Sequence, residues 1–574
     1  MKQLSGADAM FLQLEHGNNF MHVASLAIYD PSTAPGGKVR FKDVLRHFAA
    51  RVEEFPQFRR RLVQVPLSLD RPYWIEESGI DVEFHVRHIA LPHPGDWRQL
   101  CIQVARLHSR PLDRSKPLWE AYIIEGLHNV PGVPAGSFAL YCKMHHAIID
   151  GESGTELLKA LHSLTPEPID EDEAPLGGFT ADREPLLPEL YSRALVQNLG
   201  RLPALARFSL GTAKRVASLG AGAVGNLSEL GSSLLPQLRT LLSGDLSPLL
   251  AKLPPKTRFS GDVSAHRVFE AVGLPLAEFK TIRKQVGGVT LNDLFLGIVG
   301  GALNNYLGER RELPDTSMIA GVPMTLRGEE KGGDRGNQVG FTFMPVYSDI
   351  ADPLLRLRAI AESAETSKRV TDAVGKELAR DLLEYLPAPV AGALVRNVKL
   401  PKIGLIVSNV RGPDVPLYMA GAQLVNYSPI SIALDGIGLN VTGFSYNGTM
   451  WICAVSCREM MPDPAAFADC LRASFAEIQE AALRASPPTC GLCHPQGDVS
   501  PFVEAVERIV ADATCPALSD AGKARRKAAT VAARDPNHRS FRQIMFLLSL
   551  ENRTGSGRAR PEPHAALRSN KNPT

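Results

Sequence analysis

Tyr141-Cys-Lys-Met-His-His-Ala-Ile-Ile-Asp-Gly151 decides how this chain folds around its chemistry. Residues 137–144 (SFALYCKM) are apolar, few and partly aromatic, which predicts a buried strand. Residues 152–164 (ESGTELLKALHSL) carry apolar side chains at 157, 158, 161 and 164, the spacing of a helix. His145 and His146 therefore fall where a strand stops and before a helix starts. A rigid scaffold at such a junction can hold side chains that still reach a cleft. A neutral imidazole titrates near pH ~6.5 and can accept a proton at physiological pH. Neighbours at a strand end point to opposite sides, so one histidine can face a cleft while the other supports it. The same opposition argues against both binding one metal. Asp150 can order the turn or pair with a distant arginine, and Gly151 admits backbone angles that other residues resist. Taken singly these features are ordinary: a buried histidine is usually a hydrogen-bonded core residue, and Asp-Gly is usually a turn.

The whole pattern HHxxxDG, after a strand and before a helix, is far more specific. It resembles the active-site motif of the acyl-CoA-dependent acyltransferase superfamily, which includes chloramphenicol acetyltransferase-like enzymes and peptide-synthetase condensation domains. Other stretches narrow the match: LSGADAMFLQLE (4–15), MHVASLAIYD (21–30), PLDRSKPLWE (111–120), TLNDLFLGIVGGAL (290–303), GVPMTLR (321–327), GNQVGFTFMP (336–345) and SNVRGP (408–413). Their combination and order resemble the bacterial wax ester synthase/diacylglycerol acyltransferase family over about residues 1–483.

That resemblance implies an α/β fold of two chloramphenicol-acetyltransferase-like (condensation-domain-like) lobes, with the active site in a channel between them. It implies acyl-CoA as a substrate rather than a cofactor, and diacylglycerol or a long-chain alcohol as acceptor. It assigns the general-base role to His146, with His145 supporting the site or sharing that role. By the same analogy Asp150 points away from substrate and braces the loop through an arginine. Arg59, in FPQFRRR (55–61), is the candidate, the alternative being a solvated basic cluster. Pro117, Leu118 and Trp119 shape the fold near the channel. Asn292 and Asp293 head a buried helix; Asn292 can cap it, and either can help fix the catalytic loop or a substrate oxygen. Ser408 and Asn409 belong to a strand-end loop of mostly structural character.

Composition agrees with this reading without selecting it. At 574 residues the chain can form two or three domains with sizeable cores. The net charge is +2, so no global field favours nucleic acid. The first fifteen residues lack a basic region followed by an apolar core, so no secretory signal is expected. The longest apolar run, about 294–303, is far short of the ~20 residues that cross a bilayer. A cytoplasmic protein, peripherally associated with the inner membrane or with lipid inclusions, is expected, its eight cysteines reduced.

Four regions follow along the chain. Residues 1–165 form an N-terminal lobe with helices at 41–54 and 97–109 and strands at 21–30, 119–126 and 137–144. Residues 166–259 hold an acidic, proline-bounded linker (166–175) and then a basic stretch. Within 190–228, Arg193, Arg201, Arg207, Lys214 and Arg215 share one helical sector, opposite Leu195, Leu199, Leu202, Leu205, Leu210 and Val216. Such a helix can lie in a membrane interface or on a lipid droplet, or it can pack its stripe on the core. Pro203 and several glycines argue against one long helix. Residues 260–483 form a C-terminal lobe, with a buried helix at 290–307, a hairpin at 439–457 turning at Asn447-Gly448, and a closing helix at 464–483. Residues 484–574 form an extra tail, its last twenty-odd residues expected to be disordered. Cys490-Gly-Leu-Cys493-His494 has haem-attachment spacing, and the CxxC with Cys515 or His494 could make a zinc site, but a lone CxxC signals weakly and no metal is expected.

The implied chemistry is acyl transfer. A histidine takes the acceptor's hydroxyl proton as its oxygen attacks the thioester. The tetrahedral oxyanion then expels the thiolate of coenzyme A, and no acyl-enzyme is required. Gly151-Glu-Ser153-Gly154 lacks the spacing of a nucleophile elbow, which disfavours a serine hydrolase. Two alternatives stand beside this reading: transfer to another acceptor, as in condensation domains, and a non-catalytic lipid-droplet or membrane scaffold, which would need no histidine pair.

Overall fold

The computed structural model describes residues 1–77, 79–148, 158, 161–167, 181–201, 203, 254–325, 339–374, 384–397 and 402–485. All lie in one unit, Met1–Pro487; the second unit, Pro488–Thr574, is outside the described residues.

The first half of the chain contributes strands β1 (Lys2–Gln3), β2 (His22–Asp30), β3 (Arg60–Val63), β4 (Tyr73–Glu76), β5 (Val86–Ala90), β6 (Trp119–Glu125) and β7 (Phe138–His145). The second half contributes β8 (Arg267–Pro275), β9 (Ile319–Thr325), β10 (Val339–Pro345), β11 (Leu405–Arg411), β12 (Tyr418–Met419), β13 (Ala422–Ile430), β14 (Leu439–Tyr446) and β15 (Thr449–Cys457). The main helices are α1 (Gly6–Leu14), α2 (Phe41–Glu54), α3 (Trp97–His108), α4 (Leu276–Val286), α5 (Leu291–Glu309), α6 (Pro353–Val374), α7 (Ala388–Asn397) and α8 (Pro464–Ala485).

Two six-stranded sheets carry the fold, in the orders β12-β13-β2-β7-β6-β5 and β10-β9-β11-β14-β15-β8, with a small β1-β4-β3 sheet beside them. Strand β7 is central in the first sheet and all eight of its residues are buried. Both of its faces are covered, which is why its sequence is apolar without alternating. Helix α2 covers one face through Val44, Phe48 and Val52, spaced four apart so that they share one side. Helix α3, capped by Asp96, which accepts from the Gln99 N–H at 2.8 Å, covers the other through Leu100, Val104 and Leu107. It also packs on β8, bridging the two sheets.

The two halves of the chain do not each close their own sheet. Strand β13, from the region 260–483, pairs antiparallel with β2 from Gln423↔Asp30 to Ile430↔Ala24, with a bulge between Leu424 and Asn426. The first lobe is thus completed by chain from the second. In the second sheet, the β14–β15 hairpin turns at Asn447 and Gly448, with φ of 41° and 81°, the conformation that an Asn-Gly pair adopts most readily. Helix α5 runs through the core behind it. A Cβ at Gly300 would lie 2.1 Å from the Val346 carbonyl oxygen, so only glycine lets the helix seat there. Among the described residues no single helix is long and apolar enough to cross a membrane.

The start of α5 corrects one expectation. Thr290, not Asn292, caps the helix: its hydroxyl accepts from the Asp293 N–H at 3.1 Å, and Asp293 accepts from the Thr290 N–H at 2.8 Å. This reciprocal box assigns Asp293 to helix capping.

Candidate active site

The histidine pair is clamped by backbone on both sides. The His145 N–H donates to the Leu118 carbonyl at 3.0 Å, and the His146 N–H donates to the Met21 carbonyl at 2.7 Å. The Ile148 N–H donates back to the His145 carbonyl at 3.0 Å, turning the chain out of β7. The Pro-Leu-Trp segment and the start of β2 therefore fix where the strand ends. Asp150 and Gly151, and most of the helix expected over 152–164, lie outside the described residues.

The two rings are held differently. His145 is 1% exposed. Its Nδ1 accepts from the Ala147 N–H at 3.0 Å, which leaves the proton on Nε2. That nitrogen donates to Oε2 of Glu15 at 3.1 Å. Glu15 also accepts from the Met21 N–H at 3.1 Å and pairs with Arg114 at 3.3 Å. Burial alone would raise the Glu15 carboxyl, but the bonds from His145 and Met21 and the charge of Arg114 outweigh it and hold it below its ordinary value. Burial pulls His145 down, against the pull of Glu15, so its imidazole is neutral near pH 7. His146, half-buried, stacks on Phe11 with ring centroids 4.1 Å apart and planes at 15°. Phe11 lies in the last turns of α1 and Glu15 is its C-cap residue, four positions on, so the end of this one helix meets both histidines.

Buried polar groups brace this arrangement from beneath. Lys143, wholly buried, donates to the carbonyls of Leu107 at 3.2 Å and Arg110 at 2.9 Å and lies 3.5 Å from Glu120. His22, opposite His145 across β2 and β7, has Nε2 2.7 Å from the His108 carbonyl. His108 Nδ1 lies 3.0 Å from the Tyr141 hydroxyl, and burial pulls its pKa down to about 3. His47 and His162 tie down the segment after the loop: His47 Nε2 meets the Leu161 carbonyl at 2.7 Å, and His162 Nε2 meets the Tyr29 hydroxyl at 2.7 Å. Burial pulls both to about 4.

The other expected residues occupy distinct places. Pro117, Leu118 and Trp119 are buried next to the site. Trp119 donates from Nε1 to the Phe58 carbonyl at 2.9 Å and stacks on His85 at 4.4 Å. Arg59 is buried, not a solvated cluster; it donates to the carbonyls of Val52, at 2.7 Å, and Glu53 at the end of α2, and to Glu76 at 3.2 Å. Its expected partner Asp150 lies outside the described residues. Asn292 meets Asn409 of β11 at 3.5 Å on the second sheet, and Ser408 pairs with Thr442 within that sheet. Glu15, Phe11 and Arg114 carry no role in the sequence reading, although Glu15 closes the quoted stretch 4–15. Their distance from the histidines along the chain hid them.

The geometry is that of one fixed, neutral imidazole, His145, beside a second, half-buried imidazole stacked on Phe11. Residues 4–295 match the wax ester synthase/diacylglycerol acyltransferase catalytic domain, and residues 335–479 match the C-terminal domain of the same family. The chain belongs to the wax ester synthase/diacylglycerol acyltransferase family. It is 31% identical over 491 residues to a Mycobacterium tuberculosis protein named as a diacylglycerol O-acyltransferase, covering 84% of this chain and 90% of that one. A second so named from the same species is 33% identical over 482 residues, covering 83% and 99%. Among solved structures, the wax ester synthase/diacylglycerol acyltransferase of Marinobacter aquaeolei matches with a TM-score of 0.55 and 25% identity, covering 84% of this chain and all of that one.

Two outcomes test this geometry. Glu15→Ala should lower kcat by about 10²-fold with little change in KM, because the histidine loop loses its anchor. Glu15→Gln keeps an acceptor for the His145 Nε2–H and should recover most of the rate; equal losses in both variants would contradict a positioning role. Stability should also fall with acid. His145, His47, His108 and His162 bind a proton less readily folded than unfolded, so the unfolded chain takes up more protons below about pH 6.5. Glu15, its folded value depressed, adds stability that is lost at lower pH in the same direction. The melting temperature should drop steadily from pH 7 toward 4; a flat profile would contradict it.

Proposed function

We propose that this protein moves a long-chain acyl group from acyl-CoA to the hydroxyl of diacylglycerol or of a long-chain alcohol, with His146 as general base. The division of the histidine pair carries this reading. With both of its ring nitrogens engaged, by Ala147 and by Glu15, His145 is a supporting group, and the family pattern gives the base role to its neighbour His146, half-buried and stacked on Phe11. Family membership and the relatives named as diacylglycerol O-acyltransferases support the donor, the acceptor and the bond formed.

The steps balance. His146 accepts the hydroxyl proton as the acceptor oxygen attacks the thioester carbonyl. The tetrahedral intermediate collapses, the carbon–sulfur bond breaks, and His146 returns the proton to the departing sulfur. Acyl-CoA is consumed as a substrate, and no further cofactor enters.

Work at a lipid surface, from the cytoplasm onto the inner membrane or lipid inclusions, belongs to the same proposal. Diacylglycerol, long-chain alcohols and their esters reside in lipid phases. A helix over residues 187–201 leaves Leu187, Tyr191, Leu195 and Leu199 exposed at four-residue spacing, while Leu190 and Ala194 pack on β3 and β4. Such an apolar row suits insertion between lipid headgroups. The basic sector expected opposite it is only partly realised: Arg201 turns inward to Asp70 at 2.6 Å, and Arg193 pairs with Glu189. Arg207, Lys214 and Arg215 lie outside the described residues.

Release of coenzyme A from palmitoyl-CoA, with dioleoylglycerol and with hexadecanol supplied separately, tests the chemistry. Acceptor-dependent release should fall about 10²- to 10⁴-fold in His146→Ala. Release with neither acceptor would contradict the assignment and favour a scaffold. For the surface, a Leu195→Asp/Leu199→Asp double variant should lose co-flotation with dioleoylglycerol-containing phosphatidylglycerol vesicles while its melting curve is unchanged; retained flotation would contradict the lipid-facing helix.

A further inference from the structure

Helix α1 has nine residues, yet it sets both histidine rings, through Phe11 on His146 and through Glu15 on His145. A helix this short is marginal by itself in water, so its place depends on what grips it. It carries its own cap: the Ser5 hydroxyl accepts from the Asp8 N–H at 3.1 Å and donates to the Asp8 carboxylate at 2.7 Å. A further bond comes from 378 residues away, where the Gly6 N–H donates to Oε2 of Glu384 at 2.7 Å. The other oxygen of that carboxylate accepts from Arg71 Nη1 at 2.7 Å, and Arg71 Nη2 donates to the Glu384 backbone carbonyl. Arg71, itself buried, thus holds Glu384 by side chain and main chain, and fixes its carboxylate in front of α1. The Arg71 N–H donates to Asp70 at 2.8 Å. Asp70, also buried, accepts from Gln3 of β1 at 2.7 Å and from Arg201 at 2.6 Å. The Leu4 N–H donates to the Pro72 carbonyl at 3.0 Å. Residues 70–72 therefore hold the chain entering α1 at Gln3 and Leu4 and, through Glu384, at Gly6.

Because Ser5 already caps the helix, the bond to Glu384 adds little to whether α1 forms and much to where it lies. A carboxylate there also meets the positive end of the helix dipole. Along the axis Gly6 is about 7.5 Å from Phe11 and about 13.5 Å from Glu15, so a displacement of the first turn is carried to both. Helix α7, which starts four residues after Glu384, packs on the last turn of α1: a Cβ at Gly392 would lie 3.1 Å from Gln13 Nε2. We infer that Glu384 is a positioning residue for the histidine pair: clamped by Arg71, its carboxylate fixes the N-terminus of α1 and, through Phe11 and Glu15, the orientation of His146 and His145. The inference deepens the proposed acyl transfer and rests on that reading for its effect on turnover.

Steady-state kinetics of Glu384→Ala with palmitoyl-CoA and dioleoylglycerol test it. In this variant kcat should fall about 10- to 10²-fold, with KM for both substrates within about twofold of the parent. Glu384→Gln keeps an oxygen for the Gly6 N–H and should recover most of the rate. In a Phe11→Leu/Glu15→Ala background, where α1 has lost its stacking and its carboxylate, adding Glu384→Ala should cost less than about twofold. An unchanged kcat in Glu384→Ala, no recovery in Glu384→Gln, or the full loss repeated in that background would each overturn the inference. Glu384→Asp serves if Glu384→Ala does not fold: it keeps the charge beside Arg71 but draws the carboxylate back by about 1.5 Å, with the same loss expected. Reaction of His146 with diethyl pyrocarbonate, followed by mass spectrometry, separates this inference from the reaction assignment. Its rate should rise at least about threefold in Glu384→Ala as the ring leaves Phe11, with exposed His266 unchanged; an unchanged rate overturns the inference. If the parent shows no acyl transfer yet His146 reacts faster in the variant, the positioning stands and the reaction assignment falls. If that rate is unchanged as well, both fall.

Discussion

The hydrogen bond from His145 to Glu15 is the constraint on which the rest of the site depends. A histidine at a strand end can choose between tautomers and orientations. Here the Ala147 N–H takes Nδ1 and Glu15 takes the Nε2 proton, so one tautomer and one ring plane remain. Glu15 ends α1, and Phe11, one turn earlier, stacks on His146. The orientation of both histidines thus follows from where α1 sits. That helix starts with its own cap at Ser5, and the Gly6 N–H donates to Glu384 at 2.7 Å, which in turn holds Arg71. Phe11 also packs with Ile403, Ile406, Ile432 and Leu434 from the second half of the chain. The packing behind the site thus comes from both halves, as the first sheet does.

Burying this much polarity is costly unless each group finds a partner. Lys143 and Arg59 answer mainly with backbone carbonyls and one acidic neighbour each. The buried histidines meet the cost by staying neutral, as their depressed values require. The result is a stiff platform around one half-buried imidazole, and stiffness is what positioning for attack demands.

Local signals made most of the elements legible. The apolar run of β7, the four-residue spacing in α2 and the Asn-Gly turn between β14 and β15 each encode their structure within a dozen residues, and the observed limits fall within two residues of those expected. The histidine pair was legible as a pattern, and so was Trp119 as part of the fold beside the site. Partnerships across the chain were not. Alternation shows that a strand is half-buried but not which strand it joins, so the pairing of β13 with β2 had no local trace. Glu15 lies 130 residues from His145. Arg201 reads as one of a basic sector until Asp70, brought close by the fold, draws it inward. The cap of α5 was readable, since Thr290-x-x-Asp293 is itself a capping signature; placing the helix start one residue early concealed it.

The most direct test of the account is the structure of the protein with a non-hydrolysable acyl-CoA and a diacylglycerol bound together. The account predicts the acceptor hydroxyl oxygen within about 2.6–3.2 Å of a His146 ring nitrogen, with His145 still bonded to Glu15. An acceptor oxygen on His145, with the Glu15 bond broken, would contradict it.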